Sequence, residues 1–212
     1  MSNPIILVGG GGHCKVIIDI INENNEYDEI IISDIDGNKG KEILGLRIEY
    51  TDNDLEDLYK NGIKNAFVSL GNVNITTKRE KLYNRLKSIG FNLPVIVSKS
   101  ANISKHVKIN EGTLIGKNVI INPGVKIGRN CIINTGAIIE HDCNIGDNVN
   151  IGPGAVLSGG VEVGANSFIG ARGIIIQNIN IIANTLIGAG STVTKNINES
   201  GIYVGTPTEK IK

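Results

Sequence analysis

The sequence has no tryptophan, one methionine and three phenylalanines. A core built on large rings is thereby excluded, and any interior must be packed from aliphatic side chains. Charge of one sign is missing as well. The 21 Lys and Arg balance 21 Asp and Glu, so no long-range field draws the chain to nucleic acid or to an anionic membrane surface. The three cysteines, Cys14, Cys131 and Cys143, cannot all pair and none forms a C-x-x-C, so reduced thiols are expected. No apolar run approaches the length of a membrane span, and the opening MSNPIILVGG lacks a basic segment ahead of a cleavable apolar stretch. A cytoplasmic protein with no membrane partner is expected.

What is present falls into two patterns. Over residues 1–94, PIILVGG reads as a buried parallel strand ended by glycines, and CKVIIDIINEN as a helix. EIIISDID reads as a second strand, Asp52 to Lys60 as a short helix and NAFVSLGN as a further strand. ITTKREKLYNRLKSIG has the spacing of an amphipathic helix stopped by Gly90. Alternating β and α elements imply a parallel sheet with helices on its faces, so this segment reads as a small Rossmann-like α/β domain.

Over residues 95–212 the period changes. Every sixth position from Val97 through Ile103 and Ile109 to Ile187 and Val193 is Ile, Leu or Val, without an insertion. Four residues after each aliphatic the position is mostly small or β-branched, as at Ala101, Val107, Thr113 and Cys143. Neither a helix nor a flat sheet repeats in sixes. A parallel β-helix does, each hexapeptide giving one short strand and one turn. The repeat resembles that of the hexapeptide acyltransferases. That resemblance implies a left-handed β-helix of triangular section, three hexapeptides to a coil.

His141 occupies the third position of its hexapeptide, where other repeats carry Lys105, Glu111, Lys117, Arg129 and Asp147. That column faces outward. One coil further lies Gly159, and beyond it the third positions turn small at Ala165, Ala171, Ala183 and Ala189, with Gln177 the exception. Such a slot suits the pantetheine arm of coenzyme A; it equally eases a subunit contact, and the two readings are compatible. Imidazole titrates near neutrality and can take the proton from an amine or hydroxyl attacking a thioester. Asp142, or alternatively Glu140, can hold the other ring nitrogen, and a backbone N–H at Gly159 can meet the developing oxyanion. Cys143, the rival nucleophile, falls at the inward fifth position, where a thiol without a cationic neighbour is inert. A three-histidine zinc centre is not expected, because this half holds only His106 and His141.

In the first half, VGGGGHCK follows a strand and opens a helix, whose first N–H groups suit a phosphate. Cys14 stands where the third glycine of a dinucleotide fingerprint belongs. Asp34 after the second strand, with Gly71 and Asn72 after the third, falls on the same carboxyl edge of the sheet. A nucleotide site is expected there.

Along nearly its whole length the chain resembles the bacterial sugar acyltransferases of the sialic-acid O-acetyltransferase and UDP-4-amino-sugar N-acetyltransferase type. The matching residues are GGGGHCK at 9–15, Asp34, LGN at 70–72, NTGAIIEHD at 134–142, IGPGA at 151–155 and VGTP at 204–207. The resemblance implies His141 as general base, Asp142 beside it and Asn134 lining the same site. It implies that Gly11, Gly12, His13, Asp34, Gly71 and Asn72 hold a nucleotide-linked sugar. It implies acetyl-CoA as acyl donor along Gly159, Ala171, Gly188 and Ala189, in a homotrimer with sites between subunits and no metal. Asn150 stands where many relatives carry a histidine associated with coenzyme A, and Thr208 replaces the usual alanine after VGTP. The expected function is N-acetylation of a nucleotide-activated amino sugar, UDP-linked, in surface glycan synthesis. Sugar O-acetylation of the sialic-acid kind is the near alternative. A non-catalytic nucleotide-binding β-helix scaffold is the alternative of another class.

Overall fold

The computed structural model describes residues 3–71 and 77–212. They form two compact units, one of residues 3–71 with 77–96 and one of residues 97–212. In the first, strands β1 (Pro4–Val8), β2 (Glu29–Asp34), β3 (Glu42–Ile43), β4 (Leu46–Thr51) and β5 (Asn65–Val68) form one sheet in the order β3-β4-β2-β1-β5. All neighbours are parallel except β3 and β4, which are antiparallel. The helices are α1 (Gly12–Asn24), α2 (Leu55–Lys60) and α3 (Lys78–Ile89). Ile6 and Val8 face Leu55, Leu86 and Phe91 on one side of the sheet, while Ile5 and Leu7 are buried on the other. Side chains on both faces of β1 are thus apolar, as a parallel strand covered on both sides requires.

Two features of this unit were not legible in the sequence. The β3–β4 hairpin, with Leu44 at φ 49° and Gly45 at φ 81°, gives little sequence signal because its strands are short and half polar. The segment from Asp52 begins as a 3-10 turn, and the α-helix proper starts only at Leu55. A capping box on Thr51 and Asp54 explains that entry. Helix α3 ends where expected, on Gly90 at φ 109°; its expected first residues and Asn72 lie outside the described residues.

The second unit is a left-handed parallel β-helix. Its strands run from β6 (Ile96–Val97) to β22 (Thr192–Val193), nearly all two residues long. Each pairs with the strand 18 residues away, as in Ile133↔Ile151 and Ile139↔Leu157, so three flat faces result. The sixfold aliphatic column points inward: Ile115, Ile133, Ile151 and Ile169 are all wholly buried. Turns at the corners need a left-handed residue, supplied by Gly or Asn at almost every coil. The same Gly/Asn column recurs in the sequence one residue after the outward third position. Strands β23 (Gly201–Val204) and β24 (Glu209–Lys210) extend one face at the C-terminal end. Among the described residues no helix is long and apolar enough to cross a membrane.

Candidate active site

The first unit places its site residues on one edge, after β1, β2 and β5. The first two glycines of GGGG are required by the fold itself. Gly9 sits at φ 112°, and a Cβ on Gly10 would meet Ile48 Cδ1 at 2.6 Å. Gly11 and Gly12 are different: among the described residues a Cβ on either would meet nothing within 4 Å. Helix α1 starts there with no side-chain cap and no acidic residue in its first turn. Cys14 N turns back to Gly11 O at 3.1 Å, while the N–H groups of Gly12 and His13 have no hydrogen bond among the described residues, the kind of helix start that accepts a phosphate.

Asp34 braces this edge. Its carboxylate accepts from Gly10 N (3.0 Å), Ile35 N (2.8 Å) and Asn38 Nδ2 (2.9 Å), tying the glycine loop to the turn after β2. Ser69 Oγ donates to Gly9 O at 2.6 Å, fixing the end of β5 to the same loop. Gly71 packs on His13, since a Cβ there would lie 3.1 Å from His13 Cβ. His13 Nε2 is buried with no hydrogen-bond partner among the described residues. Burial, and after it the charge of Arg79, lowers the His13 imidazole from 6.5 to about 4. At neutral pH the ring is therefore uncharged. Arg79, absent from the sequence reading, is itself buried and donates to the carbonyls of Val68 and Leu70, holding the end of β5. A single arginine in a helical pattern carries no sequence signal for that role.

In the β-helix, strands β12 (Ile132–Ile133), β13 (Ile138–Ile139) and β14 (Asn144–Ile145) lie on three successive faces. His141 and Asp142 form the corner between β13 and β14. His141 Nδ1 and Asp142 Oδ2 are 2.9 Å apart. An ionised carboxylate only accepts, so the ring proton belongs on Nδ1 and the Nε2 lone pair is free. Asp142, not Glu140, is the ring's partner. Asp142 takes the left-handed conformation, φ 61°, that the corner demands. Its carboxylate lies over Gly124, one coil earlier, where a Cβ would collide with Asp142 Oδ1. Gly159, one coil later, leaves room for the imidazole: a Cβ there would be 2.6 Å from both Cε1 and Nε2. The Gly159 N–H has no internal partner among the described residues. His141, Asp142 and Gly159 are therefore brought together, with Gly124 as a support that sequence reasoning missed.

The other expected residues lie elsewhere. Asn134 is on the corner between β12 and β13, where its Oδ1 accepts from Thr135 N at 2.9 Å. Ala171, Gly188 and Ala189 stack above it on that same corner, in 18-residue steps through Gly152 and Gly170. Within one chain they face a different edge of the prism from His141. Asn150 is buried on β15 (Asn150–Ile151), opposite Ile132. Cys143 points inward as expected. Its thiol donates to Ser158 O at 3.2 Å, and burial pushes it up to about 11. A thiol so placed is neither accessible nor ionised. Among the described residues no cluster of His, Cys, Asp and Glu could hold a metal ion.

Comparison with known proteins agrees with this architecture. Residues 4–86 match the PglD N-terminal domain, residues 106–141 and 142–177 the bacterial transferase hexapeptide (six repeats), and residues 160–195 the hexapeptide repeat of succinyl-transferase. PerB, the perosamine N-acetyltransferase of Caulobacter crescentus, is similar over 100% of this chain and 99% of its own, at 32% identity and a TM-score of 0.93. The chain belongs to the bacterial hexapeptide-repeat sugar acyltransferases. The Caulobacter structure contains CoA and GDP-perosamine. Within the same family, the acetyltransferase domain of PglB from Neisseria gonorrhoeae, solved with acetyl coenzyme A, matches over the full length of both chains at 26% identity and a TM-score of 0.92. WeeI from Acinetobacter baumannii, at 24% identity and a TM-score of 0.86, shares the fold. A search of curated protein sequences returned no match.

Proposed function

We propose that the protein transfers acetyl from acetyl-CoA to the amino group of a nucleoside-diphosphate-linked amino sugar, in the cytoplasm and for surface glycan synthesis. The observation that carries this reading is the His141–Asp142 pair at 2.9 Å, on an outward corner with Gly159 cut away beneath the ring. Acetyl-CoA supplies an activated acyl group. The chain's own residues do the rest. His141 Nε2 takes the proton of the attacking amine, Asp142 holds the ring in the productive tautomer, and the Gly159 N–H meets charge on the thioester oxygen. The free N–H groups of Ala171 and Ala189 suit the amides of a pantetheine arm.

The open N-terminus of α1, with Gly11, Gly12, His13 and Gly71 around it, is assigned to the diphosphate of the acceptor. Asn72 belongs to the same assignment from the sequence alone. Asp34 acts there by shaping the loop. The family resemblance favours a UDP-linked acceptor, whereas the Caulobacter relative was crystallised with GDP-perosamine.

A homotrimer completes this reading. His141 and the Asn134, Ala171 and Ala189 edge lie on different corners of one prism, so a site using both must draw them from two copies. The outward residues of the face between those corners also favour contact: Ile120 and Ile174 are 39% and 43% exposed, and Ile138 and Val156 lie between them. The test is acceptor-dependent release of free thiol from acetyl-CoA across UDP-, GDP- and CMP-linked amino sugars. Release with an amino sugar, and none when its amine is replaced by hydroxyl, supports N-acetylation. Release with the hydroxyl analogue moves the chain to the O-acetylating branch. No release with any acceptor leaves only the scaffold.

A further inference from the structure

Fourteen successive corner turns of the β-helix, from Gly112 to Gly190, hold their fourth residue at positive φ. Glycine or asparagine fills twelve of them. These are the residues that reach the left-handed region at least cost. The exceptions are Asp142 and Arg172, at φ 61° and 54°. Asp142 is accounted for by its bond to His141. Arg172 makes no such internal bond: its backbone N–H donates to Pro153 O at 2.9 Å, while its guanidinium has no hydrogen bond or ion pair among the described residues.

Its position is specific. Arg172 follows Ala171 on the corner that Ala189 continues one coil later, and among the described residues the N–H groups of both alanines lack internal partners. Its stem lies along the coil beneath, with Cγ 3.6 Å from where a Cβ on Gly154 would be. A cationic side chain that strains its own turn, has no partner among the described residues and lies on the edge given above to the pantetheine arm is placed for an anion carried by that same ligand.

We propose that Arg172 is a binding residue for the acyl donor, holding a phosphate of coenzyme A against this corner of the β-helix. The proposal rests on the acetyl-CoA reading above. Coenzyme A offers two sources of the same chemistry, its pyrophosphate and its 3′-phosphate, and a planar guanidinium can grip either in a two-pronged contact.

The test is Arg172→Asn in the full-length protein, because asparagine is what the neighbouring corners use. Relieving the strained turn should raise the melting temperature by about 2–4 °C for a chain of this size. Calorimetric affinity for CoA should nevertheless fall about 10- to 100-fold, the worth of a hydrogen bond to a charged group. An arginine with no part in binding would raise the melting temperature equally and leave CoA affinity unchanged, so the affinity is the deciding quantity. Dephospho-CoA separates the sources. If Arg172→Asn no longer matters for dephospho-CoA, the contact is the 3′-phosphate; an undiminished loss assigns it to the pyrophosphate. Arg172→Lys, with charge but no fork, should bind with intermediate affinity. Unchanged CoA affinity in Arg172→Asn, whatever its stability, overturns the proposal. Failure of the unmutated protein to bind CoA overturns the acyl-donor reading itself, and the proposal with it.

Discussion

The two units solve the same problem, how to hold polar groups in a defined place, by opposite means. The β-helix does it by repetition. Its aliphatic column is anchored 18 residues at a time, each corner has the same backbone, and chemistry enters only where a corner departs from the pattern. His141, Asp142 and Gly159 are three such departures on one edge. The α/β unit has no repeat to depart from. Its edge is assembled from three loops that brace one another through Asp34, Ser69 and Arg79. Rigid periodic scaffolds thus advertise their site in the sequence, whereas a loop-built site is defined by contacts between segments far apart in the chain.

The sharpest way to break that contrast is at the departing corner. His141→Ala should lower kcat by about two to four orders of magnitude, the usual worth of a general base, with acetyl-CoA affinity little changed. Near-normal turnover in the folded variant would move the base elsewhere. Next in size is the regular column. Ile151, wholly buried between Ile133 and Ile169, should cost about 2–5 kcal/mol of stability as Ile151→Ala, read by denaturant unfolding. The exposed Lys126 on a neighbouring coil should cost within about 0.5 kcal/mol as Lys126→Ala.

The same contrast explains what the sequence disclosed. The β-helix was legible because a column such as Ile133, Ile139 and Ile145 must recur wherever coils stack. His141 was legible because it interrupts an outward column. The partner of its ring was not, since Asp142 and Glu140 are equally close in sequence and only the left-handed turn at Asp142 decides between them. Nor was the separation of Asn134 from His141, which depends on which corner of the prism each reaches. In the α/β unit, the glycine run announced a helix start. It did not reveal that Gly9 and Gly10 serve packing while Gly11 and Gly12 leave space. Nothing local to Asp34 shows that its carboxylate also accepts from Gly10 N and Asn38 Nδ2.

A smaller effect should distinguish the braced edge by pH. His13 is lowered to about 4 in the folded protein from a reference of 6.5. Between those values the unfolded chain binds a proton that the folded one refuses, so stability falls as pH drops through this window and the contribution levels off below it. His13→Asn should make the pH dependence of stability between pH 6.5 and 4 shallower by up to about 1.4 kcal/mol per unit. An unaltered slope would mean the ring is not held neutral. The smallest effect belongs to the β-helix interior. Cys143→Ala should leave kcat within about twofold, and the native thiol should resist alkylation until unfolding.

The division of labour between the units is tested most directly by Gly12→Val. Its Cβ would meet no described residue within 4 Å beyond the first turn of α1 itself. The fold should therefore tolerate the change while a phosphate cannot approach. In steady-state assays with an accepted nucleotide sugar, KM for the sugar should rise about tenfold or more, the equivalent of losing one charge-assisted contact. KM for acetyl-CoA should stay the same. A rise in KM for acetyl-CoA alone would make the glycine loop the acyl-donor site and reverse the assignment of the two halves.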